Sequence, residues 1–576
     1  MSDTGAGGES PWIPPGLRGY RRRWLRGDVI AGLTVWAVLV PESIAYATIA
    51  GVPPIIGLYA APAALILYAL LGSSRQLVVG PMSSTALLSA AVVASVVGGG
   101  GDPVATTAAL ALVAGVIALV AGLLRLGFVA SFISEPVLKG FVIGLALTII
   151  VGQLPKLTGT DSGEGEFFGR LWGFLSGLGA TDALTLSVGL LALAALLLLK
   201  RFLPLIPASL VVVVLAIAAT RILGLEHHSL DIVGPLPGGL PPLGPPDLTL
   251  SQYGALVAGA AGVALVGFAE GLGAARTYAA KAGDRIDPDR ELLGLGGANL
   301  ASGLCSGMVV NGSLSKTAVN GAAGARSQVS GLTAALFTVL TLLFLTGLFE
   351  ELPEAVLAAV VISAVVELVD VGALRDLYRL TKPALTAVYG LAARMDFLGA
   401  VAALLGVLLL GTLQGLLVGV GVSLLLLLRR SSRPHLAELG RIDGPAGSGP
   451  RWVDRERESD ATTEDRVTVL RVEGGLYFAN SEFVHDRVVD VARPENVRAV
   501  VLDVRAVPFV DATAARMFDR LAEDLQGHGA ALLLARDLGQ VRDLLRHPHA
   551  LYPSVEEAVL AAHARIRGDN GGGGER

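Results

Sequence analysis

Pro41-Glu42-Ser43-Ile44-Ala45-Tyr46-Ala47, followed by Ala50-Gly51-Val52-Pro53-Pro54 and Gly57-Leu58-Tyr59, decides how this chain is read. The stretch lies in an apolar segment that belongs in a membrane, and a proline with a carboxylate beside it interrupts that segment. Freed backbone groups and ionisable side chains are costly at membrane depth. They are tolerated only where they line a cavity or touch other protein. The expectation is a transport pathway at a helix broken by Pro41.

Composition agrees. Apolar residues make up 53% of the chain and charged residues only 16%, outside the range of a soluble domain. Runs such as 185–199, 211–220 and 401–428 are apolar on nearly every face, where a soluble helix would keep a polar stripe. A net charge of -5 and the lack of a basic, aromatic-interleaved patch argue against nucleic acid. The single cysteine, Cys305, excludes an intramolecular disulfide and a multi-cysteine metal site. No cleavable signal peptide is expected, since the first apolar run starts late and is full length.

Fourteen candidate spans follow: 28–50, 55–71, 82–98, 104–125, 130–152, 183–202, 207–224, 253–279, 290–305, 313–326, 330–349, 353–370, 395–410 and 412–429. The basic start (Arg18, Arg21, Arg22, Arg23 and Arg26) places the N-terminus in the cytoplasm. Exits of even-numbered segments carry Arg75, Arg125, Lys200, Arg276, Arg326, Arg375 and Arg429, whereas the loop after the eleventh is acidic at Glu350, Glu351 and Glu354. Lys156, Arg170 and Arg221 are exceptions. An even count with both termini inside is expected. Seven spans per half would force an inverted repeat.

Leu77-Val78-Val79-Gly80-Pro81 precedes Met82-Ser83-Ser84-Thr85, and Met308-Val309-Val310-Asn311-Gly312 precedes Ser313-Leu314-Ser315-Lys316-Thr317. Both are short strand-like runs leading into hydroxyl-rich helix starts. Non-helical backbone at membrane depth must be paired internally, so these two runs are expected to pair with each other. Two half-helices would then aim their N-termini, with unpaired N–H groups and partial positive charge, at one central site. Such a site can hold a small anion and still release it. Lys316 adds one full charge nearby.

The Pro41–Tyr59 stretch resembles the first-helix signature of the sulfate permease (SulP) family of anion transporters. Gly80-Pro81-Met82-Ser83, Pro136-Val137-Leu138-Lys139-Gly140-Phe141, Glu291-Leu292-Leu293-Gly294 through Asn299, and Gly312 through Asn320 look like further motifs of that family, co-linear over residues 20–430. The resemblance implies an all-α polytopic membrane domain of fourteen transmembrane segments in a seven-plus-seven inverted repeat. A core domain of helices 1–4 and 8–11 would move against a gate domain of helices 5–7 and 12–14, in a homodimer. By position it implies an anion site lined by Glu42, Tyr46, Met82, Ser83, Glu270, Leu314 and Ser315, with Lys316 behind. The family often has glutamine where Glu42 stands and arginine where Lys316 stands, so this site is less positive and less bidentate.

Glu270, in Gly267-Phe268-Ala269-Glu270-Gly271, is an intramembrane carboxylate and functional by default. Burial disfavours its charged form, which suits a proton carrier. Sodium-coupled relatives carry a hydroxyl one turn later, where this chain has Ala274, so proton coupling is expected rather than sodium. Glu42 admits three readings: a second proton site, a partner for Lys316, or a polar contact to unwound backbone. Ser83 and Ser315 could be plain helix caps as well as anion ligands, and Met82 could be simple packing. Glu135 and Lys139 read as a helix-face ion pair. His227 and His228 receive no role.

The expected domains are a cytoplasmic N-terminal segment over 1–27, a transport domain over 28–430, a linker over 431–465, an α/β domain over 466–566 and a disordered tail over 567–576. Gly475-Leu476-Tyr477-Phe478-Ala479-Asn480 and Phe509-Val510-Asp511-Ala512-Thr513 resemble a cytoplasmic STAS domain. In stand-alone STAS proteins a hydroxyl near the second aspartate is phosphorylated, and Thr513 is the nearest candidate. The preferred role for Thr513 is helix N-terminal capping. The function expected is secondary, proton-coupled transport of a small anion across the plasma (inner) membrane, sulfate first, with bicarbonate and dicarboxylates as alternatives. An anion sensor or scaffold signalling through STAS is the reading from another class. No cofactor, metal or enzymatic activity is expected, because no nucleophile–base set or metal cluster stands out.

Overall fold

The computed structural model describes residues 14–571 except 98–100, 133, 162, 164, 204–205, 226–229, 381–382, 443–449, 459, 495 and 537–549. His227 and His228 lie outside the described residues, as do 538–545, which the sequence pattern reads as a helix of the α/β domain. The chain divides into two units, Met1–Leu424 and Leu425–Arg576.

The first unit runs α1 (Leu25–Ile49), α2 (Ile55–Leu71), β1 (Val78–Gly80), α3 (Ser83–Val97), α4 (Pro103–Leu123), α5 (Glu135–Thr158), α6 (Phe167–Gly177), α7 (Ala183–Phe202) and α8 (Ala208–Leu223). It continues with α9 (Leu250–Ala282), α10 (Pro288–Leu304), β2 (Asn311–Ser313), α11 (Leu314–Ala322), α12 (Val329–Phe344), α13 (Glu354–Val365), α14 (Val371–Leu380), α15 (Pro383–Leu410) and α16 (Thr412–Ser432). Among the described residues, 6 helices are long and apolar enough to cross a membrane: α1 with the turn before it, α4, α5, α7, α9 and α16. Shorter apolar helices, including α2, α3, α8 and α12, accompany them.

Each segment read from the sequence falls on a helix, with three differences. First, Pro41 does not break α1, which is continuous from Leu25 to Ile49 with Pro41 inside it. Proline removes one N–H from the ladder, and here the helix around it is packed on all sides: residues 39–47 are buried without exception. Second, α6 and α14 were not read as elements. Their apolar stripes are interrupted by polar residues and are short, so a search for long apolar runs passes over them. Third, α15 starts at Pro383, well before the span read at 395–410.

Close helix contacts depend on glycine. A Cβ on Gly57 would lie 1.9 Å from the Ser43 carbonyl oxygen, so only glycine lets α2 press onto α1 beside Pro41. On α4 and α10, Gly115 and Gly303 play the same part, each within 2.6–2.8 Å of the partner helix backbone if given a Cβ.

β1 and β2 pair antiparallel, Val78 with Ser313, Val79 with Gly312 and Gly80 with Asn311, so the strand of the second run is Asn311-Gly312-Ser313, just past its β-branched Val309-Val310. Side chains satisfy the irregular backbone around them. Asn299 donates to the carbonyls of Leu295 and Val310 and accepts from the Val310 N–H, each at 2.9 Å. Gln328 donates to the Ser74 and Leu77 carbonyls at 2.9 Å, and the Val78 N–H donates to Thr317 Oγ1 at 3.1 Å. Two wholly buried carboxylates clamp the loops beside the strands. Glu291 accepts from Tyr68 Oη (2.8 Å), Ser73 Oγ (2.6 Å) and the N–H groups of Ser73 (2.9 Å) and Ser74 (3.0 Å). Asp28 accepts from the Arg326 N–H (2.6 Å) and from Ser327 Oγ (2.6 Å).

The second unit holds β3 (His435–Ile442), β4 (Arg451–Asp454), β5 (Val467–Glu473), α17 (Ser481–Ala492), β6 (Ala499–Asp503), α18 (Ala512–Gly527), β7 (Ala531–Ala535), β8 (Ala550–Tyr552) and α19 (Val555–Gly571). Its sheet order is β4-β3-β5-β6-β7-β8, with β5 to β8 parallel. Strand alternation sends Val500 and Leu502 toward α17 and α18, and Ala499 and Val501 toward α19. Residues 431–465, expected as a linker, instead carry β3 and β4. In the four-residue β4 only Trp452 is buried, too short a pattern to rise above a Gly- and charge-rich background. The expected tail is helical through Gly571, and 572–576 lie outside the described residues.

Candidate functional site

The site grows from the β1–β2 pair. α3 begins just past Gly80 and α11 just past Ser313, so one antiparallel pair supports both helix starts. Ser313 caps α11: its side chain accepts from the Lys316 N–H at 3.3 Å. Ser315, expected as a cap or ligand, sits exposed in the first turn with its hydroxyl 3.2 Å from that of Ser313. Leu314 beside it is half-exposed. Ser83 is buried at the start of α3, and Met82 is half-buried before it.

Lys316 is withdrawn from solvent, with 1% of its side chain exposed. Its Nζ stands 2.7 Å from Glu42 Oε2 on α1 and donates to the Pro81 carbonyl at 3.1 Å. It also lies 5.0 Å from the centre of the Tyr46 ring, a cation–π distance. Of the three readings open for Glu42, the contact with Lys316 is the one the geometry displays. Glu270, on α9, accepts from Ser84 Oγ at 2.8 Å and from Asn311 Nδ2 at 3.4 Å. Asn311 pairs with Gly80, and Pro81 follows Gly80, so Glu270 and Lys316 both anchor at the β1–α3 junction.

A cavity of about 530 Å³ reaches this cluster through Glu42 and Ser315. Its wall includes Thr34 and Val38 of α1, Val319 of α11, and an ion pair between Lys200 and Glu367 at 2.9 Å. Tyr46, Met82, Ser83, Leu314, Lys316 and Glu270 do not line it. Such a pocket can admit a small anion toward two helix N-termini and one buried cation.

Ser84, Asn311, Asp28, Glu291 and Lys200 are partners whose role at the site no sequence pattern marks. Ser84 and Asn311 stand inside the two quoted runs, and Glu291 opens a quoted motif. Asp28 and Glu291 act across some two to three hundred residues of sequence, which no local pattern reports.

Elsewhere, Glu135 and Lys139 form the expected helix-face pair at 2.8 Å. Asp511, not Thr513, caps α18, accepting from the N–H groups of Thr513 (2.9 Å) and Ala514 (2.8 Å). An aspartate reaches the free N–H groups from the residue before the helix, whereas Thr513 lies within the first turn. Among the described residues one histidine–carboxylate cluster, Glu482, His485 and Asp486, has metal-ligand types within reach. There His485 is already engaged by Asp524 at 2.9 Å.

Known proteins resemble this chain over nearly its whole length. The sulfate permease family matches residues 25–390 and the STAS domain matches 458–558. A probable sulfate transporter of Mycobacterium tuberculosis is 39% identical over 554 residues, 95% of this chain and 96% of that protein. Probable sulfate transporter 3.4 of Arabidopsis thaliana is 29% identical, covering 94% of this chain and 85% of its own. In structure, the murine Solute Carrier 26 family member A9 anion transporter in its inward-facing state superposes with a TM-score of 0.83 at 24% identity, over 98% of this chain and 97% of that one. The transmembrane domain of a cyanobacterium bicarbonate transporter gives 0.59 at 24% identity, over 69% of this chain and 98% of that one. The chain belongs to the sulfate permease family, and it is a multi-pass membrane anion transporter, not an enzyme, with a C-terminal STAS domain.

Proposed function

We propose that this chain is a proton-coupled secondary transporter of sulfate, working by alternating access as a homodimer in the plasma (inner) membrane. Fourteen spans in two inverted sevens would be α1–α5, α7 and α8, then α9–α13, α15 and α16. Both termini, and with them the STAS domain, would lie in the cytoplasm, in keeping with the basic residues at even-numbered exits. The cavity would then open inward, since its wall gathers the start of α1 and the ends of α7 and α11. The anion would sit between the N-termini of α3 and α11, held by Ser83, Ser315 and Lys316 and bounded by Glu42, Tyr46, Met82 and Leu314. Glu270 would carry the proton, and Thr513 would be a regulatory hydroxyl on the STAS domain.

The observation that carries this reading is the pairing of β1 with β2, which supports two helix starts beside one buried lysine. Helix N-termini hold an anion by oriented N–H groups and partial charge, weakly enough for turnover. Sulfate is favoured over other small anions by the named sulfate transporters among the relatives. The test is uptake of labelled sulfate into proteoliposomes, with bicarbonate and small dicarboxylates as competitors. Sulfate uptake blocked most strongly by unlabelled sulfate is expected. Stronger block by bicarbonate or a dicarboxylate would reassign the substrate, and binding without uptake would favour a sensor.

A further inference from the structure

We propose that Glu42 is a tethered counter-ion that holds Lys316 while the site is empty, and that the transported anion has to displace it. This rests on the anion-transport reading above and deepens it: Glu42 sets the affinity of the site by competing with the substrate from inside the protein.

Three observations carry the proposal. Glu42 and Lys316 are 2.7 Å apart with 6% and 1% of their side chains exposed, so the pair is shielded from water and salt. Glu42 Oε2 has no hydrogen-bond partner beyond that contact, unlike Glu291 with its four donors. Glu42 is held by that one cation and by a hydrogen bond from the Tyr46 side chain, with no set of fixed backbone donors, and can leave Lys316 when a better-placed anion arrives. Finally, Glu42 lines the cavity and Lys316 does not. An anion entering the pocket therefore meets a negative group standing in front of Lys316, the buried cation of the site.

The other charges leave little to offset that barrier. α1 packs against α2, α3, α8, α11, α12 and α13. From these and the cavity wall, the charged or titratable groups near Glu42 are Lys316 of α11, Tyr46 of α1 itself, and Lys200 with Glu367. Lys200 is matched by Glu367 and also donates to the Ser363 carbonyl at 2.8 Å. Glu270 is bound to Ser84 and Asn311 instead. A site open for substrate only part of the time binds it more weakly by that fraction. Removing the internal competitor should therefore tighten binding, the opposite of what deleting an ordinary ligand contact does.

The experiment measures equilibrium binding of labelled sulfate to the purified full chain, and the rise in unfolding temperature that sulfate produces. Wild type, Glu42→Gln, Lys316→Ala and the double variant are compared. Glu42→Gln keeps a carbonyl acceptor for Lys316 and should bind sulfate about tenfold more tightly, with a larger thermal shift. The gain should vanish in the double variant. Equal or weaker binding by a folded Glu42→Gln protein overturns the proposal, as does a gain that survives in the double variant or binding by neither protein. Should Glu42→Gln fail to fold, Glu42→Asp, one methylene shorter, loosens the pair and should bind more tightly than wild type; unchanged binding overturns the proposal. Absence of uptake of every anion with the binding pattern intact would sink the transport reading alone.

Discussion

Glu291 in the clamp beside β1 and Glu42 in the proposed anion site are both carboxylates withdrawn from water, yet they are held in opposite ways. Glu291 accepts four hydrogen bonds, two of them from backbone N–H groups, and has no cation. Glu42 is held by one lysine and by a hydrogen bond from the Tyr46 side chain. Glu270 falls on the same side as Glu42, with one hydroxyl at 2.8 Å and one long amide contact. A carboxylate saturated by fixed donors is a structural part, because removing it orphans every donor at once. One held by only one or two side-chain partners can trade a partner for a substrate or a proton. The contrast separates scaffold from site within a few residues of the same strand pair.

The largest effect should come from the saturated side. Glu291→Ala leaves the Tyr68 hydroxyl and two backbone N–H groups buried without acceptors, and should destabilise the membrane domain by on the order of 3 kcal/mol. Thermal inactivation in detergent would show it, and an unchanged unfolding temperature would erase the distinction. Lys316→Ala should weaken sulfate binding by roughly tenfold or more, because the site loses its buried positive charge while Glu42 keeps its negative one. Unchanged affinity in monodisperse Lys316→Ala protein would remove Lys316 from the site. The smallest effect is expected from deleting residues after Pro434, since the chain divides near that point and the residues of the proposed anion site all lie in the first unit. Sulfate binding should stay within about twofold of the full chain. Loss of binding by a monodisperse truncated protein would show that the first unit depends on the STAS domain.

Much of this arrangement was legible in the sequence, because long apolar runs and β-branched stretches next to hydroxyl-rich helix starts are local signals. The pairing of Val78–Gly80 with Asn311–Ser313 followed from the need to satisfy non-helical backbone. Pro41 was misread, since proline is a local signal of a break while the packing that keeps α1 continuous is not local. The strands β3 and β4 were hidden in a polar stretch whose pattern spans few residues. The clamping roles of Asp28 and Glu291 were hidden for another reason: their partners lie far along the chain, and neither a lone acidic residue in a helix nor a motif that begins with one reports them. The Glu42–Lys316 contact was one of three readings, and only the fold could choose between them.

The central claim is that a loosely held carboxylate at the anion site carries the coupling proton. It is tested most directly by labelled sulfate uptake into proteoliposomes at fixed internal pH, with external pH stepped from acid to alkaline. Wild type should take up sulfate fastest at acid external pH, because protonating Glu270 removes a negative charge at the β1–α3 junction beside the proposed anion site, and proton and anion binding then favour each other reciprocally. Glu270→Gln, permanently neutral, should keep sulfate binding and lose the response to external pH. A Glu270→Gln protein with the full pH response of the wild type would contradict the account.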